Sequence, residues 1–138
     1  MSKPWLLDTG PLGRLTNPEI TTWLEGQLEA GVPVMIPEVA DYELRHSFLL
    51  EGLTRSLRRL DQLVSVLPYL PLTTSIMREA ARLWADVRRR GHPLADPHAL
   101  DGDAILAAQA LAVGGRVATE NLGHLTLLVE ASDWRVPE

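Results

Sequence analysis

The chain contains no cysteine, no apolar run long enough to span a bilayer, and less base than acid, with 13 Lys and Arg against 18 Asp and Glu. Without cysteine there are no disulfides, iron–sulfur clusters or thiolate zinc sites, which fits a cytoplasmic protein without requiring one. Without a stretch of roughly 20 apolar residues there is no candidate membrane helix. An N-terminus with one Lys and a very short apolar stretch does not read as a signal peptide. The net charge of −5 argues against holding nucleic acid by bulk charge. It leaves room for a site built from carboxylates, which is acidic until its cation arrives. Repeats, low-complexity segments and interdomain linkers are also absent. What remains is 138 residues, 46% hydrophobic and 22% charged, the size and balance of one globular domain over residues 1–138.

The first hydrophobic stretch organises the rest. Pro4-Trp5-Leu6-Leu7 has strand character, runs into Asp8, and stops at Thr9-Gly10-Pro11. A buried strand ending in Asp is how an α/β fold sets a charge at the carboxyl edge of its sheet, where ligands bind. A buried carboxylate needs a metal, a cation or several donors. The competing reading is that Asp8 caps the following turn or helix.

Downstream, residues 11–16 read as a short helical turn. Asn17-Pro18 opens a helix that Gly31 ends. A short strand over residues 32–36 follows, with Pro33 near its start. A helix then runs from Pro37 to Gly52, carrying Glu43 among Val39, Tyr42 and His46. Glu43 is either a site carboxylate or a surface partner of Arg45 or His46. Helices over 54–66 and 74–90, the second capped from Thr73-Thr74-Ser75, flank residues 67–72, which read as a short edge strand or extended link, and residues 91–100 read as a loop. The next helix, 101–111, opens with Asp101 and Asp103. At i and i+2 these point roughly 200° apart, so Asp103 faces inward and Asp101 reaches the same place only from the cap. Residues 116–119 form a strand that ends at Thr119, Glu120 and Asn121, residues 125–129 a last strand, and Trp134 a late anchor. Strands alternating with helices predict a three-layer α/β/α fold with a central, mainly parallel sheet of four to five strands.

Asp8, Glu43, Asp103 and the segment from Thr119 to Asn121 thus gather where an α/β sheet collects functional groups. Clustered carboxylates repel unless protonated or bound to a cation. Oxygen donors without cysteine point to Mg²⁺ or Mn²⁺. The four His, at 46, 92, 98 and 124, show no tight ligand spacing.

Four segments in this order carry a resemblance over nearly the whole chain. They are Leu6-Leu7-Asp8-Thr9-Gly10, residues 36–44 from Ile36-Pro37 to Glu43-Leu44, residues 101–110 from Asp101-Gly102-Asp103 onward, and residues 117–125 including Thr119, Asn121 and His124. Together they resemble the PIN domain, close to the VapC-type toxins of bacterial toxin–antitoxin pairs. The resemblance implies a metal-dependent endoribonuclease using Mg²⁺ or Mn²⁺, with RNA as substrate, a homodimeric state and a small antitoxin as partner. It implies Asp8, Glu43 and Asp103 as the catalytic acids and metal ligands, with Asp101 as a further metal candidate. Thr9, Thr119, Asn121 and His124 would act around the metal or through water. Arg14 and Arg45 are candidates for phosphate contact. The family often has Asp where this chain has Asn121, so the fourth acid is missing, and this favours the alternative of a weak or inactive module that binds RNA or protein. Asp8-Thr9-Gly10 also matches the active-site triplet of retroviral-type aspartic proteases, but those chains are all-β. A flap-type DNA nuclease would need duplex-binding elements for which the chain has little room.

Overall fold

Trp5–Leu7 form the first strand, β1, and all three side chains are buried. An unbroken apolar run suits a strand covered on both faces. The structure, a computed structural model, describes residues 3–91 and 97–136, the side chains of 97 and 98 excepted. After β1 come α1 (Thr9–Gly13), α2 (Pro18–Glu29), β2 (Val34–Pro37), α3 (Glu38–Glu51), α4 (Thr54–Val66), β3 (Tyr69–Leu70) and α5 (Thr74–Arg89). The chain continues through α6 (Pro97–Ala112), β4 (Arg116–Thr119), a 3₁₀ turn (Leu125–Leu127) and β5 (Ala131–Asp133).

The five strands form one sheet in the order β3-β2-β1-β4-β5, and the strand pairs are parallel. The chain builds outward from β1 to β3, then returns to lay β4 on the other side of β1. A crevice opens at the carboxyl ends of β1 and β4, where the strand order reverses. Alternation along the strands sends Leu6 and Val117 to one face, against Ile76, Ala80 and Leu83 of α5 and Ala104 and Ala107 of α6. Trp5, Leu7, Ile36 and Ala118 face the other way, against Leu12, Ile20, Ala40 and Leu60 from the first four helices. This is the expected three-layer α/β/α architecture.

Local chemistry explains the boundaries. Asn17 Oδ1 accepts from the Glu19 N–H at 2.9 Å with Pro18 at the first helical position, and Thr73 Oγ1 accepts from the Ile76 N–H at 3.1 Å. At Gly115 a Cβ would stand 2.9 Å from both Leu6 Cδ1 and the Pro4 carbonyl oxygen, so only glycine lets β4 enter beside β1.

Two expectations are corrected. Residues 125–129 are not a strand: Leu125–Leu127 make a 3₁₀ turn, and the last strand is Ala131–Asp133. Leu125 and Val129 are buried, so their hydrophobicity reflects packing under the sheet rather than pairing in it. The helix carrying Asp101 and Asp103 starts at Pro97, four residues before the expected place, so Asp101 lies within the helix and not at its cap. The rest of the expected loop, residues 92–96 with His92, lies outside the described residues, as does the side chain of His98.

Gln109, fully buried in α6, ties the layers together. Its Oε1 accepts from the Val39 N–H at 3.2 Å and its Nε2 donates to the Leu70 carbonyl at 2.8 Å. Gln109→Leu would strand both backbone groups without a partner. The expected loss is about 1–3 kcal/mol of stability, read as a lower urea midpoint with an unchanged slope.

Candidate functional site

The β1–β4 register pairs Leu7 with Ala118. The next residues, Asp8 and Thr119, therefore emerge side by side at the carboxyl edge. The Asp8 N–H donates to the Ala118 carbonyl at 3.0 Å, extending the ladder by one step. One carboxylate oxygen of Asp8 accepts from the Thr9 N–H at 2.8 Å and so caps α1. The other accepts from the fully buried Thr119 hydroxyl at 2.9 Å. Asp8 thus caps α1 from a position at the carboxyl edge of the sheet. Thr119 Oγ1 in turn accepts from the Asn121 N–H at 3.0 Å, which sets the turn after β4.

Glu43 projects from α3 and Asp103 from the second turn of α6 towards the same edge. Burial pushes the Glu43 carboxyl up, Asp8 adds to this through charge, and His46 opposes it. Burial, then Asp8, then Glu43 raise the Asp103 carboxyl from 3.8 to about 6. The three acids therefore share one field. The expected alternative pairing of Glu43 with Arg45 is not made, because Arg45 is held by Asp41 and Asp61 at 3.0 and 2.7 Å. Gly102 lets α6 approach: a Cβ there would stand 3.1 Å from Glu43 Oε2. On the far side Gly123 takes a positive φ of 43°, and a Cβ there would make ordinary contact, 3.4 Å from Asn121 Oδ1 and 3.9 Å from Asp103 Oδ2. Asn121 and Asp103 thus border one space.

Other candidates sit further out. Asp101 is exposed and is not among the charges that shift Glu43 or Asp103; it lies on the wall of a groove with Tyr42, His46 and Met77. Thr9 enters through its backbone N–H. His124 is half-buried and precedes the 3₁₀ turn. Arg14 Nε donates to Glu120 at 2.9 Å, so its guanidinium, like that of Arg45, already has a carboxylate partner. Glu120 is the site-edge residue whose role sequence reasoning misses. It accepts from Arg14 and, at 2.9 Å, from Trp134 Nε1, and its side chain packs within 3.1 Å of the space a Cβ on Gly10 would fill. It braces the first turn of α1, which Asp8 caps, against the C-terminal strand. An acid that follows a strand at a site edge carries no local signal separating a brace from a ligand.

Among the described residues no three His, Cys, Asp or Glu side chains close into a ready-made metal-binding group. The donor chemistry still fits a hard cation. Three mutually repelling carboxylates stand at one sheet edge, with a side-chain amide beside Asp103, and Mg²⁺ keeps several waters while using only one or two protein carboxylates. Burial raises Asp103 most, and a cation there would offset the further rise that comes from the charges of Asp8 and Glu43.

Parallel strands covered on both faces, with acids gathered at the point where the strand order reverses, define an α/β fold with an acidic crevice at the carboxyl edge of its sheet. The chain belongs to the PIN domain family, whose model matches residues 5–125. PIN domains are generally nucleases. The fold is similar to a chain in the crystal structure of VapBC2 from Rickettsia felis bound to a DNA fragment from their promoter, with TM-score 0.78, 15% identity, and coverage of 94% of this chain and 98% of that one. A chain of FitAcB from Neisseria gonorrhoeae gives TM-score 0.75 at 22% identity over 95% and 98%, and one of DNA-bound VapBC from Salmonella typhimurium gives 0.74 at 20% over 96% and 99%. At these identities the likeness is one of fold. No curated protein matches in sequence. Among the described residues no helix is long and apolar enough to cross a membrane.

Proposed function

We propose that this chain is a metal-dependent endoribonuclease, the toxin of a type II toxin–antitoxin pair, acting in the cytoplasm. The observation that carries the reading is the convergence of Asp8, Glu43 and Asp103 at the sheet edge, with Asp8 pinned by Thr119. Asp8 and Asp103 would hold Mg²⁺ or Mn²⁺, which supplies an activated water and offsets charge on the phosphate. Glu43 would orient the attacking water and accept a proton at its carboxylate, whose affinity for protons burial and Asp8 raise. Thr119 fixes the direction of Asp8. Asn121 contributes an amide oxygen to a water or the metal without adding charge. The likeness in fold to VapBC and FitAB proteins supports a small antitoxin as partner. Leu49 and Leu50, 62% and 88% exposed on the far half of α3, support a homodimer that covers them.

Asn121 also favours a second reading, a catalytically weak PIN module that binds RNA or protein. The two are separated by incubating total cellular RNA with chelated protein and then restoring Mg²⁺ or Mn²⁺. Discrete cleavage products on restoration support the nuclease; intact RNA beside a folded protein supports the binder.

A further inference from the structure

α1, whose first N–H holds Asp8, has little to hold itself in place. It has five residues, two of them glycine, with no acid in its first turn and no base in its last. A helix this short is unstable alone, and each glycine costs about 1 kcal/mol against alanine. Its position is therefore set by what grips it. Leu12 anchors it in the core. Glu120 grips both of its ends. Glu120 Cγ and Cδ lie 3.1 Å from the place a Gly10 Cβ would take, in the first turn. The Glu120 carboxylate also accepts from Nε of Arg14, the residue that closes the helix, which lies 2.9 and 2.8 Å from its two oxygens. Glu120 is itself fixed from the C-terminal side. Trp134 Nε1 donates to its carboxylate at 2.9 Å, and Arg135 Nη2 donates to its carbonyl at 3.2 Å. Trp134 packs against the core just after β5, which pairs with β4.

We infer that Glu120 is a positioning residue for the cation site: it fixes α1, α1 fixes the Thr9 N–H, and that N–H fixes one oxygen of Asp8. The inference rests on the nuclease reading and adds one residue to its site. Two successive residues at the end of β4 then hold the two oxygens of one carboxylate. Thr119 holds one directly through its hydroxyl, and Glu120 holds the other through α1. A carboxylate bonded at one oxygen only is free to turn, and losing the partner that orients a metal ligand costs roughly 10- to 100-fold in metal affinity. Glu120 is not itself a ligand. Arg14 and Trp134 engage both of its oxygens, and it is not among the charges that shift Glu43 or Asp103. The competing role is stability alone, a bolt between α1 and the C-terminal strand that leaves Asp8 unaffected.

The test is titration of Mn²⁺ into chelator-stripped variants, beside amide hydrogen exchange in EDTA. Glu120→Ala should weaken Mn²⁺ binding roughly 10- to 100-fold. Arg14→Ala and Trp134→Phe, which each remove one donor and leave Glu120 in place, should weaken it roughly 2- to 10-fold. Glu120→Gln keeps the shape against Gly10 and can still accept from one of the two donors, so it should recover part of the loss. Arg82→Ala, which breaks exposed ion pairs on α5, should bind as wild type. In EDTA the Thr9 and Leu12 amides, both bonded to Asp8, should exchange faster in Glu120→Ala, while those of β1 and β4 keep their protection. A role in stability alone predicts a lower melting temperature with the wild-type isotherm. Wild-type Mn²⁺ affinity in folded Glu120→Ala overturns the inference, as does unchanged exchange at Thr9 and Leu12. Where Glu120→Ala does not fold, wild-type affinity in both Arg14→Ala and Trp134→Phe overturns it. Folded wild type that takes up no Mn²⁺ overturns the cation reading beneath it as well, so the wild-type isotherm tells the two failures apart.

Discussion

Asp103→Asn is expected to stop RNA cleavage and, at the same time, to make the metal-free protein more stable at neutral pH. The activity loss follows from removing one of two proposed ligands. Metal-borne charge stabilisation is worth several kcal/mol, so the rate should fall by about 10³-fold or more. The stability gain follows from the raised carboxyl. Folding lifts Asp103 from 3.8 to about 6, mainly through burial and secondarily through Asp8 and Glu43. The folded state therefore binds more protons than the unfolded state between these values. Its stability is fully present below about pH 4, declines as pH rises through 6, and stays lower above that. Glu43, raised in the same direction, adds to the decline. The Asn variant lacks the Asp103 part of it. Because Asp103 is only partly buried, the expected gain at pH 7 is about 1–2 kcal/mol after allowance for solvent screening. Thermal melts in EDTA at pH 5 and pH 7 check this. Wild type should melt lower at pH 7 relative to the variant, and the gap should narrow at pH 5 and close only near pH 4. Added Mg²⁺ should stabilise wild type and leave the variant unmoved.

Thr119→Val is expected to cut activity by about 10- to 100-fold while leaving the sheet intact, the usual scale for a partner that orients a metal ligand. Valine matches threonine in shape and keeps the strand. It removes the 2.9 Å hydrogen bond to Asp8 and the acceptor for the Asn121 N–H. Asp8 keeps its bond from the Thr9 N–H, so the carboxylate stays near its place but is free to turn. Thr119→Ser, which retains the hydroxyl, should recover most of the lost rate. Circular dichroism should be the same for all three proteins. Equal loss in Val and Ser would mean that side-chain packing, and not the hydroxyl, is what matters.

Parts of this structure are legible in the sequence, and the rest is hidden for physical reasons. Caps at Asn17 and Thr73 are local: a short polar side chain, its helix and its target N–H lie within three residues. The order of strands and helices is legible from hydrophobic period, and so is Asp8 at a strand end. The last strand is not, because Leu125 and Val129 are apolar for contact with the core, while Ala131–Asp133 pair on an edge with little hydrophobic signal. The start of α6 is misread because Asp101 is a good cap by type, and the helix extends past it to Pro97. Within the site, the juxtaposition of Asp8 and Thr119 depends on a register spanning 111 residues, and no local pattern encodes that. Arg14 and Arg45 read as free cations along the chain, yet Glu120, Asp41 and Asp61 reach them from elsewhere in the fold or the next turn.

The most direct test of the central claim, that Asp8, Glu43 and Asp103 form one cation site, is calorimetric titration of Mn²⁺ into chelator-stripped protein at pH 7, wild type beside Asp8→Asn/Asp103→Asn. Saturable binding to wild type and none to the folded double variant is the expected result. Identical isotherms for the two, or no binding by folded wild type, would contradict it.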